Sequence, residues 1–271
     1  MAADIVCEAP VATSATPSSP ATSAAIAKVA FPEAGGELTV FAAASLTDAF
    51  AEIVTNLEAA NPGLDITVET GGSQSLVTQL QEGAQADVLA TANNSTMTTT
   101  IESGLISGEP QTFTGNRLVI VTPVDNPAGI ASLDDLANDG VKLVVANESV
   151  PAGNYARQAL CAYGDTDAAP EGFVEAVSGN IVSEEEDVRN VLAKVQLGEA
   201  DAGIVYASDA VASELAGQSL NVIEFPAGVP VKATYPIAAV DGGNADLANA
   251  FIAAILSPEG QEVLAKYGFE R

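Results

Sequence analysis

The stretch VFAAASLTD (residues 40–48) decides how the rest of the chain is organised. Residues 38–41 are rich in side chains that favour β-strands, and three alanines follow them. From Ser45 onward the apolar residues recur at three-to-four-residue spacing, as in an amphipathic helix: Leu46, Ala49, Phe50, Ile53, Val54 and Leu57. The pattern predicts a buried strand that turns directly into a helix.

A helix that begins at Ser45 presents unpaired backbone N–H groups beside the carboxyl end of the strand. These groups carry positive partial charge and attract anions. The same letters also describe an ordinary strand-to-helix turn with a serine N-cap. Taken alone, the stretch favours that ordinary turn.

The composition bounds the size and the partners of the protein. The 271 residues suffice for one large α/β domain or for two lobes with a sizeable core. Aspartate and glutamate number 36 against 9 lysines and arginines, for a formal charge of −27. This charge argues against nucleic acid and anionic membrane surfaces as partners. No apolar run approaches the roughly 20 residues that cross a bilayer.

The absence of histidine limits the chemistry of the chain. Ser-His-Asp and Cys-His catalysis are excluded, as is the commonest transition-metal ligand. Cys7 and Cys161 are too few for a closed zinc site. They can form one bridge, but because Cys7 lies in a segment that reads as a flexible tail, we expect the two cysteines to remain unpaired.

Residues 1–36 predict a disordered tether rich in Ala, Ser, Thr and Pro. They contain no basic and apolar leader. A tether after an N-terminal cysteine is typical of an exported, lipid-anchored protein, yet Asp4, Ile5 and Val6 do not form the usual small-residue lipidation box. Either the natural leader is trimmed or replaced, or Cys7 is incidental. We expect an extracytoplasmic protein, in the periplasm or on the cell surface, and leave lipid anchoring through Cys7 open.

From residue 37 onward, strand and helix patterns alternate, which predicts an α/β fold with mostly parallel sheets. The pattern predicts that helices begin at or near Ser45, Ser73, Ala152 and Val188, each after a strand or a loop. In open α/β sheets the ligand crevice lies at the carboxyl ends of the strands. If these starts converge, their N–H groups and hydroxyls form an anion cage.

The chain resembles the substrate-binding proteins of molybdate ABC transporters, which have the type 2 periplasmic-binding-protein fold. The resemblance covers residues 37–271, and the motifs are specific in combination rather than singly. They are VFAAASLTDAF (40–50), GGSQSLVTQLQEGAQADVLATA (71–92), GNRLVIVTP (115–123), VPAGNYARQAL (150–160), EEDVRNVLAKVQLGEADAGIVYASDA (185–210) and SPEGQEVLAKYGF (257–269).

The resemblance implies a two-lobed clamp around a tetrahedral oxyanion. Lobe one would comprise residues 37–119 with 233–271, and lobe two residues 120–232, joined by two hinge crossings. The family's ligand positions fall on Ser45, Ser73, Ala152, Val188 and Tyr206, with Ala152 and Val188 acting through backbone N–H groups. The implied partners are molybdate or tungstate and a membrane permease. We expect a monomer without a cofactor, and the molybdenum is cargo bound as its oxyanion.

The residue types at these positions suit that ligand, because molybdate is a dianion with no proton to donate. A selective site should offer donors and no free carboxylate, and hydroxyls with backbone N–H groups do so. Considered one at a time, Ser45 and Ser73 are better explained as helix caps than as anion ligands, and Tyr206 can be a core tyrosine. Arg157 and Arg189 are expected to pair with nearby acids rather than with the anion.

Two other interpretations stay open at this stage. The first is a receptor for another tetrahedral oxyanion, such as sulfate or thiosulfate. The second is a ligand-sensing domain of a regulator or a hydrolase on an α/β scaffold. Against the regulator, no DNA-binding segment is recognisable in the sequence, and the negative net charge does not suit DNA binding. Against the hydrolase, the sequence contains no histidine and no G-x-S-x-G elbow.

Overall fold

Strands form the centre of the molecule, and helices pack against them. The computed structural model describes residues 5–7, 31–32 and 35–271. The strands are β1 Gly36–Ala43, β2 Leu64–Gly71, β3 Val88–Ala90, β4 Ile106–Thr122, β5 Leu143–Ala146, β6 Ile181–Glu185, β7 Ala202–Tyr206, β8 Asn221–Glu224 and β9 Lys232–Val240. The helices are α1 Thr47–Ala60, α2 Ser73–Gln81, α3 Asn94–Glu102, α4 Pro151–Gly164, α5 Phe173–Asn180, α6 Val188–Gln196, α7 Ala207–Leu215, α8 Ala245–Leu256 and α9 Pro258–Lys266. Short 3-10 turns span Ala44–Leu46 and Asp134–Ala137.

The strand order is β2-β1-β3-β9-β4-β7-β5-β6, with β8 paired to β4. Parallel pairing joins β1 to β2 and β3, and joins β5 to β6 and β7. The returning strands β4 and β9 pair antiparallel with their neighbours. Two parallel groups are thus linked through antiparallel strands.

Strand β4 passes from one group to the other. Its residues up to Arg117 pair with β9, and residues 118–121 pair with β7. We call β1, β2, β3, β9 and the first part of β4 the first half of the sheet, and the remaining strands the second half. The predicted α/β fold is confirmed, whereas the lobe boundaries at residues 119–120 and 232–233 stay a prediction.

Some elements lack a clear local signal. The strand pattern is clear only at residues 117–121, yet β4 begins at Ile106. Gly108 and Pro110 weaken the β pattern there, and the pairing with β9 contains register shifts. The pairing with β9, rather than local propensity, extends this strand. The short elements α5 and β8 are likewise absent from the prediction.

The central strands are covered on both faces. Leu118, Val119, Ile120 and Val121 are all fully buried, as expected for a strand between two layers of helices. In residues 5–7, 31–32 and 35–271, every helix is too short or too polar to cross a membrane.

The N-terminal segment departs from the expected tether. Most of residues 1–36 lie outside the described residues, but residues 5–7 pack against the second half. The Ile5 N–H donates to Ser178 Oγ at 3.1 Å, and Cys7 forms a disulfide with Cys161 across a Cα–Cα distance of 5.5 Å. The expectation that the cysteines remain unpaired is therefore wrong, because a tether-like composition does not reveal where a segment docks. A Cys7 sulfur in this bond cannot also carry a lipid thioether.

The disulfide yields a stability prediction. The Cys7→Ser substitution removes a link between residues 154 positions apart in the sequence. We expect the free energy of unfolding to fall by about 2–4 kcal/mol, because the unfolded chain gains conformational freedom. Denaturant titration of the variant and of the reduced wild type should show the same loss. Two alkylatable thiols in unfolded, non-reduced wild-type protein would contradict the bond.

Candidate functional site

Five strand-to-helix turns converge on one small cavity. The turns follow β1, β2, β5, β6 and β7, which supply them from both halves of the sheet. Each turn contributes the residue that caps its helix to the cavity wall: Ala43, Gly72, Val150, Asp187 and Tyr206. The first N–H groups of a helix have no acceptor within it, so the cavity is surrounded by unpaired donors. The convergence that the sequence left conditional is therefore present.

All five sequence-predicted site residues line this cavity: Ser45, Ser73, Ala152, Val188 and Tyr206. The cavity volume is about 10 Å³. This is on the scale of the roughly 10–15 Å³ that one water molecule requires. A tetrahedral oxyanion is larger than one water molecule, so the walls must move apart to accommodate it. The structure brings the five residues together, and their role as ligands stays a prediction.

Neither serine acts as a helix cap. Ser45 lies inside the 3-10 turn before α1, and Ser73 is the first residue of α2 rather than its cap. The Ser45 Oγ lies 2.8 Å from the Tyr235 hydroxyl. The Ser73 Oγ accepts the Ala92 N–H at 3.1 Å. Contacts from other elements thus orient both serines. A capping serine would instead bond the first turn of its own helix.

Tyr206 brings a buried hydroxyl to the cavity. Its side chain is 1% exposed, and in the described part of the chain no group bonds its hydroxyl. Burial raises the pKa of Tyr206 well above its ordinary value, so the phenol stays protonated and can donate. Its backbone N–H donates to the Asp209 carboxylate at 3.1 Å, which secures the start of α7.

Ala152 and Val188 contribute backbone rather than side-chain chemistry. They occupy the first turns of α4 and α6, where the N–H groups have no intrahelical acceptor. Gly153 permits α4 to start close to β5, since a Cβ there would lie 2.3 Å from the Ala146 carbonyl oxygen. Asp187 caps α6 and lines the cavity. Its two oxygens accept the Asn190 backbone and side-chain N–H groups, each at 3.0 Å.

The arginines near the cavity pair with acids, which confirms the sequence prediction. Arg157 pairs with Glu184 and also donates to the Ala146 carbonyl at 2.9 Å. Arg189 pairs with Asp48, and its Nε lies 3.8 Å from Asp209. Among the described residues, no lysine or arginine lines the cavity. Any anion there is held by neutral groups.

The two halves of the sheet touch across the cavity. The Gln74 side chain, from the first half, donates to the Glu186 carbonyl of the second half at 3.1 Å. The Asp48–Arg189 pair makes a further link between the halves. The close approach of the halves accounts for glycine at position 72, because a Cβ there would lie 2.5 Å from the Glu186 carbonyl oxygen. The described arrangement is therefore closed.

Tyr235 and Asn116 are buried polar residues that sequence reasoning missed. They lie in β9 and β4, in segments that read as ordinary strands, and both are fully buried. A polar residue within a buried strand is the signal that could have marked them, since such groups need partners. Tyr235 contacts Ser45, and Asn116 contacts Tyr235, an arrangement that depends on the antiparallel pairing of β4 with β9.

A larger groove of about 620 Å³ lies elsewhere, between α1 and the start of α9. Ile53, Leu57 and Val263 supply apolar parts of its lining. None of the five predicted residues lines it, nor does any of the five capping residues described above. The smaller cavity is the candidate site because it combines both sets of residues.

The chain belongs to the family of bacterial extracellular solute-binding proteins, which matches residues 38–270. Among its relatives are proteins with a named ligand. It is 37% identical to the molybdate-binding protein ModA of Mycobacterium tuberculosis (strain H37Rv) over 86% of this chain and 84% of that protein. It is 36% identical to the ModA protein of Escherichia coli, over 86% of this chain and 89% of that protein.

A solved structure shows the same fold. The substrate-binding domain of a putative molybdenum ABC transporter from Clostridium difficile superposes with a TM-score of 0.63 at 30% identity. The match covers 87% of this chain and 98% of that domain. These comparisons confirm the family resemblance drawn from the motifs and the type 2 periplasmic-binding-protein fold.

Proposed function

We propose that this protein captures molybdate, and also tungstate, between its two halves and delivers the anion to the permease of an ABC transporter. The observation that carries the proposal is the convergence of five helix starts and three side-chain hydroxyls on one small cavity. The names of the relatives supply the identity of the anion, and the cavity supplies a chemical reason for it.

The cavity matches the protonation state of the ligand. A fully ionised oxyanion accepts hydrogen bonds and donates none, and the hydroxyls and N–H groups around the cavity can all donate. Each oxygen of Asp187, a carboxylate that lines the cavity, already accepts a bond from Asn190, which weakens Asp187 as an acceptor for a ligand. A protonated oxyanion would need such an acceptor. Discrimination against sulfate, which also lacks a proton, would rest on size.

Neutral donors can supply enough binding energy. Hydrogen bonds to a charged group contribute about 1.5–3 kcal/mol each. Five of them would offset the cost of desolvation and of closing the two halves. The net charge of −27 slows the approach of an anion at low salt, but it is screened at physiological ionic strength.

Closure completes the site. Ser45 and Ser73 belong to the first half, and Ala152, Val188 and Tyr206 to the second. An anion that contacts both sets binds the closed state better, and it shifts the population toward that state. The crossing strand β4 and the segment before β9 act as the hinge. The permease then recognises the closed form.

The protein acts outside the cytoplasm, where its disulfide is stable. It works as a monomer without a cofactor, binds no nucleic acid and catalyses no reaction. Its family is one of solute-binding proteins, which favours binding over catalysis. Esterase or phosphatase turnover that disappears in a Ser45→Ala variant would contradict the last point.

Isothermal titration at fixed ionic strength tests the proposal. We expect one-to-one submicromolar binding of molybdate and tungstate, with sulfate and monohydrogen phosphate far weaker. Tight sulfate binding would retain the clamp and change the substrate. If no oxyanion bound, the proposed function would be wrong.

Tyr206→Phe should weaken molybdate binding by about 1–3 kcal/mol, or roughly 5- to 150-fold, because one bond to the charged ligand is lost. Tyr163→Phe is the matched control. The Tyr163 hydroxyl donates to Asp134 at 2.5 Å, toward the C-terminal end of α4, and Tyr163 does not line the cavity. Titration of both variants should show a loss for Tyr206→Phe alone. An unchanged affinity would remove Tyr206 from the site.

Gly72→Ala should hold the halves apart. In the closed arrangement the added methyl group would lie 2.5 Å from the Glu186 carbonyl oxygen and would also meet Gln74 Nε2 and displace that flexible side chain, whereas the φ of −58° at Gly72 suits alanine. We expect molybdate affinity to fall more than 10-fold and the ligand-induced compaction seen by small-angle scattering to disappear. In Gly71→Ala the new methyl contacts only Leu76, at 3.8 Å, and both properties should persist. Equal behaviour of the two variants would show that closure does not depend on this contact.

A further inference from the structure

We propose that Tyr235 and Asn116 are positioning residues that orient the Ser45 hydroxyl so that it donates into the cavity. The inference rests on the proposed function, since it concerns how the same site rejects protonated oxyanions. Neither residue lines the cavity, and both act through Ser45.

The direction of each hydrogen bond follows from a backbone group that can only donate. The Arg117 N–H donates to Asn116 Oδ1 at 2.9 Å. This bond orients the Asn116 amide, so its Nδ2 faces the two hydroxyls on the other side. The Nδ2 group donates to Ser208 Oγ at 2.8 Å and to the Tyr235 hydroxyl at 3.4 Å.

Ser45 is the nearest acceptor for the Tyr235 proton. Asn116 Nδ2 cannot accept, and Ser45 Oγ lies 2.8 Å away. The Tyr206 hydroxyl lies nearby, but in the described part of the chain it makes no hydrogen bond of normal geometry. The Tyr235 hydroxyl therefore donates to Ser45. Tyr235 is fully buried, and burial raises its pKa well above the ordinary value, so it keeps this proton at every physiological pH.

Ser45 accepts a hydrogen bond from Tyr235 on the side away from the cavity and directs its own proton toward the cavity. Ser73 is set in the same sense, because its Oγ accepts the Ala92 N–H at 3.1 Å. Each serine keeps its own proton available for a ligand, while its contact with Tyr235 or Ala92 occupies one of its two lone pairs. Monohydrogen phosphate would bring a proton for which Ser45, already accepting from Tyr235, is a poorer acceptor, and an unpaired buried donor is costly. The Asn116–Tyr235–Ser45 relay therefore contributes to the preference for fully ionised oxyanions.

Tyr235→Phe is the principal test, with molybdate and monohydrogen phosphate as probes. The Ser45 hydroxyl is then free to rotate and to accept. We expect molybdate affinity to fall about 5- to 20-fold. The affinity for phosphate should fall less than the affinity for molybdate, or should rise. In competition, a lower phosphate concentration than in wild type should therefore displace half of the bound molybdate. Tyr163→Phe, which also removes the phenolic hydroxyl of a tyrosine with a largely buried side chain, should change neither value.

A double-mutant cycle separates this role from general packing. If Tyr235 acts through Ser45, Tyr235→Phe should change molybdate affinity less than about 2-fold in a Ser45→Ala background. An equal loss in both backgrounds, with unchanged discrimination against phosphate, would overturn the relay and leave the proposed function intact. A wild-type protein that binds no oxyanion would overturn both.

Asn116→Ala provides an independent variant in case Tyr235→Phe does not fold. Tyr235 keeps its hydroxyl, but nothing directs the proton toward Ser45. Discrimination against phosphate should fall, with a smaller loss of molybdate affinity than in Tyr235→Phe. Full retention of discrimination in a folded Asn116→Ala protein would contradict the proposed relay.

Discussion

Buried helix starts need acceptors, and this constraint shapes the molecule. Each of the five turns leaves N–H groups that the helix itself cannot satisfy. Parallel pairing within each half of the sheet places these turns at the same edge, and the crossing strand β4 brings the two edges face to face. The fold thereby creates a concentrated field of neutral donors, which an anion between the halves would satisfy.

Neutral donors also reconcile an anion site with a strongly acidic chain. Arg157 and Arg189 are occupied by acids, and Arg189 links Asp48 of one half to the buried Asp209 of the other. Burial raises the pKa of Asp209 to about 6, although Arg189 opposes that rise. The positive charges near the cavity thus serve structure and closure. In the proposed site, selectivity rests on hydroxyls and amides, whose direction can be set by their partners.

Most of the architecture is visible in the sequence, because apolar periodicity and turn residues are local signals. The alternation of strands and helices, the start of α4 at Pro151 and the Asp187 cap are all local patterns that the structure reproduces. The five site positions were named from motifs, and the structure brings them to one cavity. Elements held mainly by distant partners, such as the first part of β4 and the docked residues 5–7, were missed or misjudged.

The sequence by itself determined the fold class, the family and the residue types available to an anion, since these follow from periodicity, motif and composition. Tertiary structure alone decided which donors face the same point and which distant groups contact each of them. Ser45 shows why: its orienting partner Tyr235 is 190 residues away and reaches it only through the folded arrangement of the strands. Hydrogen-bond direction belongs to a network of groups from distant elements, and no local pattern encodes it.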